Sequence, residues 1–292
     1  MTNKKIFNKK YKNKILLVDN CISFLEKISI KKRSMFKGVV IGITGSAGKT
    51  TLKENLKFYL QKKYKISSSI KSYNNNLGVL LSISNMDLKS KFALFEIGTN
   101  NFGEIKLLSQ LVQPSQLFIT NILSTHLENF KTQRNIALEK SDIFNKKYNP
   151  SSKVLFFSNN SKQENLIYKI SRKQKLQKII TIGNKLQDSY IKKISYKNNK
   201  FQIDLTVLGK QFSISMKEYE EHRIVNILFI LSFFIINKIN PKFILNNIKI
   251  LMVEGRGSRH QFKINGKIIK FIDESYNANP ETMTQSIINF SK

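Results

Sequence analysis

The sequence predicts an α/β fold, a P-loop domain whose mostly parallel sheet is flanked by helices and carries an antiparallel hairpin edge. Three observations predict it. The apolar run Val39 to Ile43 leads into Thr44-Gly45-Ser46-Ala47-Gly48-Lys49-Thr50, after which Leu52, Leu56, Tyr59 and Leu60 recur at helical spacing, so strand, glycine turn and helix follow one another. Short apolar segments then alternate with helix-length ones as far as Ile182. From Tyr190 to Met216 the period changes to two, with breaks at Asn198-Asn199 and Gly209-Lys210 that mark antiparallel strands.

The glycine turn has the chemistry of a phosphate-binding loop. Glycines let backbone N–H groups point inward at phosphate oxygens, and the helix N-terminus adds partial positive charge. Lys49 can reach terminal phosphates and Thr50 can ligate Mg²⁺. Ile43 stands where the longer form of the motif has glycine, so the match is to the shorter form, which opens at Thr44.

Taken in order, residues 15 to 29 predict a short strand or turn leading into a helix. After the loop's own helix come a short strand near Lys65 to Ile70 and a polar stretch, Lys71 to Gly78, which reads either as a ligand-facing loop or as an ordinary turn. Phe92 to Gly98 predicts a buried parallel strand carrying Glu96 at its carboxyl end, where a magnesium-binding acid is expected beside a phosphate loop. A helix over Glu104 to Leu111 and a strand over Gln116 to Ile122 follow. His126 then falls where strand gives way to loop, a position open to a functional or a merely solvated histidine. A helix is predicted from about Arg134 to Lys147, and on pattern alone its Lys140 belongs to a solvated face. Strand Val154 to Ser158, helix Gln163 to Ile170 and strand Ile179 to Ile182 continue the alternation. Glu218 to Lys238 predicts a long core helix with His222 and Asn226 on one side. A second helix follows Pro241. Gly255 to His260 reads as a hinge, followed by strands Gln261 to Ile264 and Lys267 to Ile272 and a helix from near Glu281.

Length and composition allow two domains, or one large domain with an appendage, because 292 residues with 41% hydrophobic content can build a sizeable core. The net charge of +31 would suit a polyanionic partner, yet arginine occurs only at positions 33, 134, 172, 223, 256 and 259. Lysine, the poorer choice for bidentate phosphate or base-edge recognition, supplies the rest and is spread along the whole chain. No specific nucleic-acid partner is therefore expected. Cys21 is the single cysteine, which excludes an internal disulfide and a cysteine zinc cluster and fits a cytoplasmic location. The basic opening lacks the apolar core of a signal peptide, and the apolar run Ile224 to Ile236 is too short to span a bilayer.

Several motifs together resemble the Mur ligases of peptidoglycan synthesis. Thr44-Gly45-Ser46-Ala47-Gly48-Lys49-Thr50 is similar to that family's phosphate loop and Asn75-Asn76-Leu77-Gly78-Val79 to its substrate-facing loop. Glu96-Ile97-Gly98-Thr99-Asn100, Gly103-Glu104-Ile105 and Asp273-Glu274-Ser275-Tyr276-Asn277-Ala278-Asn279-Pro280 resemble the member that joins D-alanyl-D-alanine to UDP-N-acetylmuramoyl-tripeptide. The resemblance spans roughly residues 36 to 290. It implies ATP and Mg²⁺ as cofactors, those two molecules as substrates, a monomer, and amide formation through an acyl phosphate without a protein nucleophile.

Roles follow position by position from the resemblance. Gly45, Ser46, Ala47, Gly48, Lys49, Thr50 and Thr51 would hold the ATP phosphates, and Thr50, Glu96 and His126 the metal ions. Lys140 matches a lysine that the family carbamylates to obtain a carboxylate near the second metal. Asn226 would meet the adenine or ribose, Arg256 the phosphates across the hinge and Asp273 the ribose. Asn75, Asn76, Ser275, Asn277 and Asn279 would face substrate. Glu220, Arg223 and Leu80 depart from the family's usual glycine, asparagine and proline. The expected division is residues 1–35 as the remnant of an amino-terminal domain with its linker helix, 36–256 as the central ATP-binding domain, and 257–292 as the start of a Rossmann-like carboxy-terminal ligase domain. By itself such a chain is expected to bind ATP without completing ligation. Another Mur-type or folylpolyglutamate-type ligase, or a non-catalytic ATP-binding remnant, remain the alternatives.

Overall fold

The computed structural model describes residues 15–276 except 160, 246, 247, 249 and 252, and in addition 283, 284 and 286–288. The chain runs through α1 (Cys21–Met35), β1 (Val39–Thr44), α2 (Lys49–Leu60), β2 (Ile66–Ser68), α3 (Asn76–Ser84), β3 (Phe92–Glu96), α4 (Glu104–Val112) and β4 (Gln116–Ile119). It continues through α5 (Leu127–Phe130), α6 (Gln133–Ser141), β5 (Val154–Ser158), α7 (Lys162–Arg172), β6 (Lys178–Gly183), β7 (Ser189–Lys197), β8 (Lys200–Val207) and β9 (Lys210–Met216). After these come α8 (Glu221–Ile236), α9 (Lys242–Leu245), β10 (Ser258–Ile264) and β11 (Lys267–Asp273).

Nine strands form one sheet in the order β2-β3-β1-β4-β5-β6-β7-β8-β9. Pairings from β2 to β7 are parallel, and β7, β8 and β9 close one edge as an antiparallel meander. The chain leaves β1 for β2 and β3 on one side, then crosses to β4 on the other. Strand order therefore reverses at β1, and a crevice opens at the carboxyl ends of β1, β3 and β4, where open α/β sheets bind ligands.

Strand residues divide by parity because successive side chains point to opposite faces. Ile41, Ile43, Phe92, Leu94, Phe118 and Phe156 pack with Leu52, Leu56 and Tyr59 of α2 and with the apolar length of α8. Val40, Ala93, Phe95, Leu117, Ile119 and Phe157 pack on the other face with α3, α4, α6 and α7. This two-sided burial explains why the strands read as unbroken apolar runs. No described helix is long and apolar enough to cross a membrane.

Several sequence expectations need correction. The polar stretch 71–78 ends early, because Asn75 caps α3 by accepting from Gly78 N at 2.9 Å and the helix begins at Asn76. The helix expected to reach Lys147 stops at Ser141, with a 3₁₀ turn over Asp142–Phe144. The strand expected to reach Ile122 ends at Ile119. Behind Gly257 the described residues form a separate antiparallel pair, β10 with β11, and isolated helical positions at 283, 284 and 286–288; the expected start of the helix near Glu281 lies outside them.

Phe118 is fully buried at the centre of the first core, stacked on Phe156 at 4.6 Å and tilted against Phe229 and Phe233. Phe118→Ala is expected to destabilise the fold by roughly 3–5 kcal/mol in urea unfolding. A loss below about 1 kcal/mol would contradict this placement of the core.

Candidate nucleotide and metal site

The loop between β1 and α2 is shaped by its glycines. Gly45 has φ of 142°, and a Cβ there would lie 1.9 Å from Thr120 Oγ1; Gly48, at φ of 78°, stands at the N-cap of α2. No side chain caps α2, so its first-turn N–H groups face the crevice unshared with a cap, as an anion site requires. Residues at the end of β4 brace the loop: Asn121 accepts from Ser46 N at 3.1 Å through its carbonyl and from Ala47 N at 2.9 Å through Oδ1. Thr120 Oγ1 donates to Ala47 O at 2.5 Å. Lys49 Nζ turns back on Gly45 O at 2.8 Å and Ser46 O at 3.2 Å. Burial lowers its affinity for a proton, Glu96 opposes that, and Arg256 adds to it, which places Arg256 in the electrostatic neighbourhood of the loop.

Glu96 ends β3 with 1% of its surface exposed. Thr50 Oγ1 donates to its Oε2 at 2.8 Å, Asn74 Nδ2 donates to its Oε1 at 2.8 Å, and its N–H donates to Ser69 Oγ at 3.3 Å. Gly98 permits Asn74 to approach, since a Cβ there would meet its Oδ1 at 2.7 Å. The hydroxyl and carboxylate of Thr50 and Glu96 are hard oxygen donors. They fit Mg²⁺, which keeps several waters and takes phosphate oxygens instead of demanding a full protein cage. Among the described residues no three His, Cys, Asp or Glu side chains converge.

Lys140, within electrostatic reach of Lys49, follows a buried acid. Glu139 accepts from Gly103 N at 2.8 Å and Ile105 N at 2.9 Å, satisfying the start of α4 from outside that helix. With Glu139 so held, the next residue, Lys140, is also buried. Burial first, and Lys49 second, bring its pKa from 10.5 to about 7, against the pull of Glu139. The solvated face expected from pattern is thus corrected: Lys140 is an interior amine.

Other candidates are placed less closely. His126 has φ of 54°, its side chain is 41% exposed, and its ion-pair distance runs to Glu128 at 3.7 Å; no contact links it to Glu96 or Thr50. Asn75 is occupied as the α3 cap, so Asn74 is the asparagine that reaches the acid. Asn226 is buried on α8 with Oδ1 unpartnered, and Arg256 lies 4.1 Å over the Tyr276 ring with Nε unpartnered. Tyr276 OH in turn bonds Ser72 Oγ. Asp273 accepts from Ser275 N at 3.0 Å within its own turn. Asn277 and Asn279 lie outside the described residues.

Comparison with known proteins agrees with this architecture. The family described as Mur ligase middle domain matches residues 43–233. The chain belongs to the Mur ligase family. This Mur ligase chain is 32% identical over 94% of its length to the UDP-N-acetylmuramoyl-tripeptide--D-alanyl-D-alanine ligase of Rickettsia prowazekii, covering 61% of that protein. A crystal structure of MurF ligase from Thermotoga maritima in complex with ADP superposes with a TM-score of 0.78 at 25% identity, covering 98% of this chain and 64% of that one. The MurF structure from Acinetobacter baumannii gives a TM-score of 0.82 at 23% identity, covering 98% of this chain and 62% of that one, and shows the shared fold. The chain therefore spans about three-fifths of the length of these relatives.

Sequence reasoning overlooked Asn74, Asn121 and Glu139. Nothing in a run of three asparagines tells which one caps a helix, and no local pattern marks an acid that caps a distant helix. The burial of Lys140 generates a signed prediction. Between about pH 7 and 10.5 the unfolded chain holds a proton that the folded chain has released, so stability from this group rises with pH across that window; below it the buried ammonium costs most. Lys140→Met should therefore be more stable than the parent at about pH 6, with the gain shrinking as pH rises toward 10.5. Urea midpoints across that range check it, and a variant that is less stable at the acidic end would contradict it.

Proposed function

We propose that this chain binds ATP with Mg²⁺ and contributes the central, phosphate-handling part of a ligase that joins D-alanyl-D-alanine to UDP-N-acetylmuramoyl-tripeptide. The observation that carries the reading is the meeting of Lys49 with the Thr50–Glu96 pair at the carboxyl ends of β1 and β3, within electrostatic reach of buried Lys140. The named relatives support the choice of substrates, since the Rickettsia protein carries that name and the Thermotoga protein was solved with ADP.

In the reaction a carboxylate oxygen of the tripeptide attacks the γ-phosphorus and ADP leaves. The amine of D-alanyl-D-alanine then adds to the acyl carbon, and phosphate departs as the C–O bond breaks and the nitrogen loses its proton. Bound magnesium supplies charge neutralisation on the phosphate oxygens. Lys49 would exchange its contacts with Gly45 O and Ser46 O for phosphate oxygens and stabilise charge that grows on the transferred group. Thr50 and Glu96 would hold the metal, and Asn121 would keep the loop in place while the phosphates enter. Lys140, with a pKa of about 7, has a substantial neutral fraction near neutral pH. The neutral amine can add to CO₂ and lose a proton to give a carbamate, converting an interior cation beside Lys49 into an anion; His126 would join the second metal site only after turning inward.

Asn226 and Arg256 are assigned to the nucleoside and phosphates on the strength of their unpartnered polar atoms, and Asp273 to the ribose. Asn76, Ser275 and the segment after Tyr276 are assigned to substrate. The division near Arg256 is supported by positive φ at Gly255 and Gly257, 71° and 77°, and by the separate pairing of β10 with β11. Lys49→Ala is expected to weaken Mg²⁺–ATP binding by about a hundredfold, the scale of losing charge-assisted contacts to phosphate. Titration calorimetry on both proteins decides it, and equal affinities would overturn the assignment.

A further inference from the structure

We propose that Lys53 is a positioning residue for the metal site, fixing the orientation of Glu96 through the turn that follows β2. The proposal rests on the reading of Thr50 and Glu96 as magnesium ligands. Lys53 lies three residues after Thr50 on α2, hence on the same side of that helix, and none of its surface is exposed. An ammonium has three N–H donors, and a buried one is tolerated only when they are satisfied. Lys53 Nζ donates to Ser69 O at 2.9 Å and to Lys71 O, and pairs with Glu54 Oε1 at 3.1 Å. Two of its three acceptors are thus backbone carbonyls of one turn, 69–71, so moving that turn away would strand a buried charge.

The turn held in this way touches Glu96 at two points. The Ser69 carbonyl accepts from Lys53, and its hydroxyl oxygen accepts from Glu96 N at 3.3 Å. Three residues beyond Lys71, Asn74 donates to Glu96 Oε1 at 2.8 Å while its carbonyl accepts from Gly98 N at 2.9 Å. One carboxylate oxygen is therefore occupied from the loop side, which leaves Oε2 directed at Thr50 Oγ1, 2.8 Å away. Lys53 makes no contact with Glu96 itself. It acts by deciding where Ser69 and Asn74 sit, and a carboxylate freed from them could rotate away from the hydroxyl and the metal.

The test measures ATP affinity by calorimetry in Mg²⁺ and in EDTA, and reads the ratio between the two. In Lys53→Met that ratio should fall by about fivefold or more, the scale of one lost hydrogen-bonded constraint. Asn74→Ala should lower it likewise, and the double variant should fall no further than the larger single effect, because both act through one contact. Lys53→Gln, which keeps a donor, is read in the same way if Lys53→Met does not fold. A loss of affinity shared equally between Mg²⁺ and EDTA, or additive effects of Lys53 and Asn74, overturns the proposal. Glu96→Gln separates the two levels: if it abolishes the magnesium gain while Lys53→Met keeps it, only the role of Lys53 fails, whereas a gain that survives Glu96→Gln removes the metal reading and the proposal with it.

Discussion

A carboxylate buried at the end of a central strand must be satisfied on every side, and the architecture around Glu96 follows from that requirement. Thr50 reaches it from the first turn of α2, Asn74 from the segment before α3, and the hydroxyl of Ser69 takes its N–H. Three chain segments separated in sequence are fixed relative to one another by one acid. Parallel pairing of β1 with β3, in register from Val39 with Phe92 to Ile43 with Glu96, sets the height at which the acid and the phosphate loop meet. The reversal of strand order at β1 opens the space between them.

The same crevice collects cationic groups, and its electrostatics favour the neutral form of an interior lysine. Lys49 weakens the hold of Lys140 on a proton, and Arg256 that of Lys49, in a setting where burial already disfavours charge. An anion arriving between them, whether phosphate or a carboxylate built on Lys140, relieves both. Before α8 Glu220 plays a comparable part, accepting from Arg223 and Arg259 at 2.6 Å each and standing 3.2 Å from His222. Glu220 and Arg223, two of the three positions singled out as departures from the family pattern, are thus partners of one another, and Glu220 also pairs with Arg259 of β10. Asn55 adds a second tie, exchanging hydrogen bonds with the backbone of Leu251 from the helix that begins at Lys49.

What could be read in the sequence was what local physics determines. The phosphate loop was legible because strand, glycines, lysine and helix are contiguous, and Glu96 because a two-sided apolar strand ending in an acid leaves few interpretations. The meander was legible from its period of two. Helix α3 was missed because Val79, Leu80 and Ile83 are buried together with Gly78 and Ser82, leaving no clean amphipathic stripe, and because its cap is one asparagine among three. Lys140 could not be told from the other basic residues, since its burial depends on Glu139 capping α4 from a distant helix. His126 was singled out for its place after β4, yet a positive φ and an exposed ring leave it outside the cluster formed by Thr50 and Glu96. Tertiary capping, which has no sequence period, accounts for most of the difference.

The central claim is that Thr50 and Glu96 hold the metal of a phosphate-bound nucleotide. A crystal structure of the chain with Mn²⁺ and a non-hydrolysable ATP analogue, with the metal located by its anomalous scattering, tests it most directly. The account predicts Mn²⁺ within about 2.5 Å of Thr50 Oγ1, Glu96 on the same metal directly or through one water, and the phosphates over the N-terminus of α2. Phosphates bound away from residues 45–50, or a metal with neither residue in its coordination sphere, would contradict it.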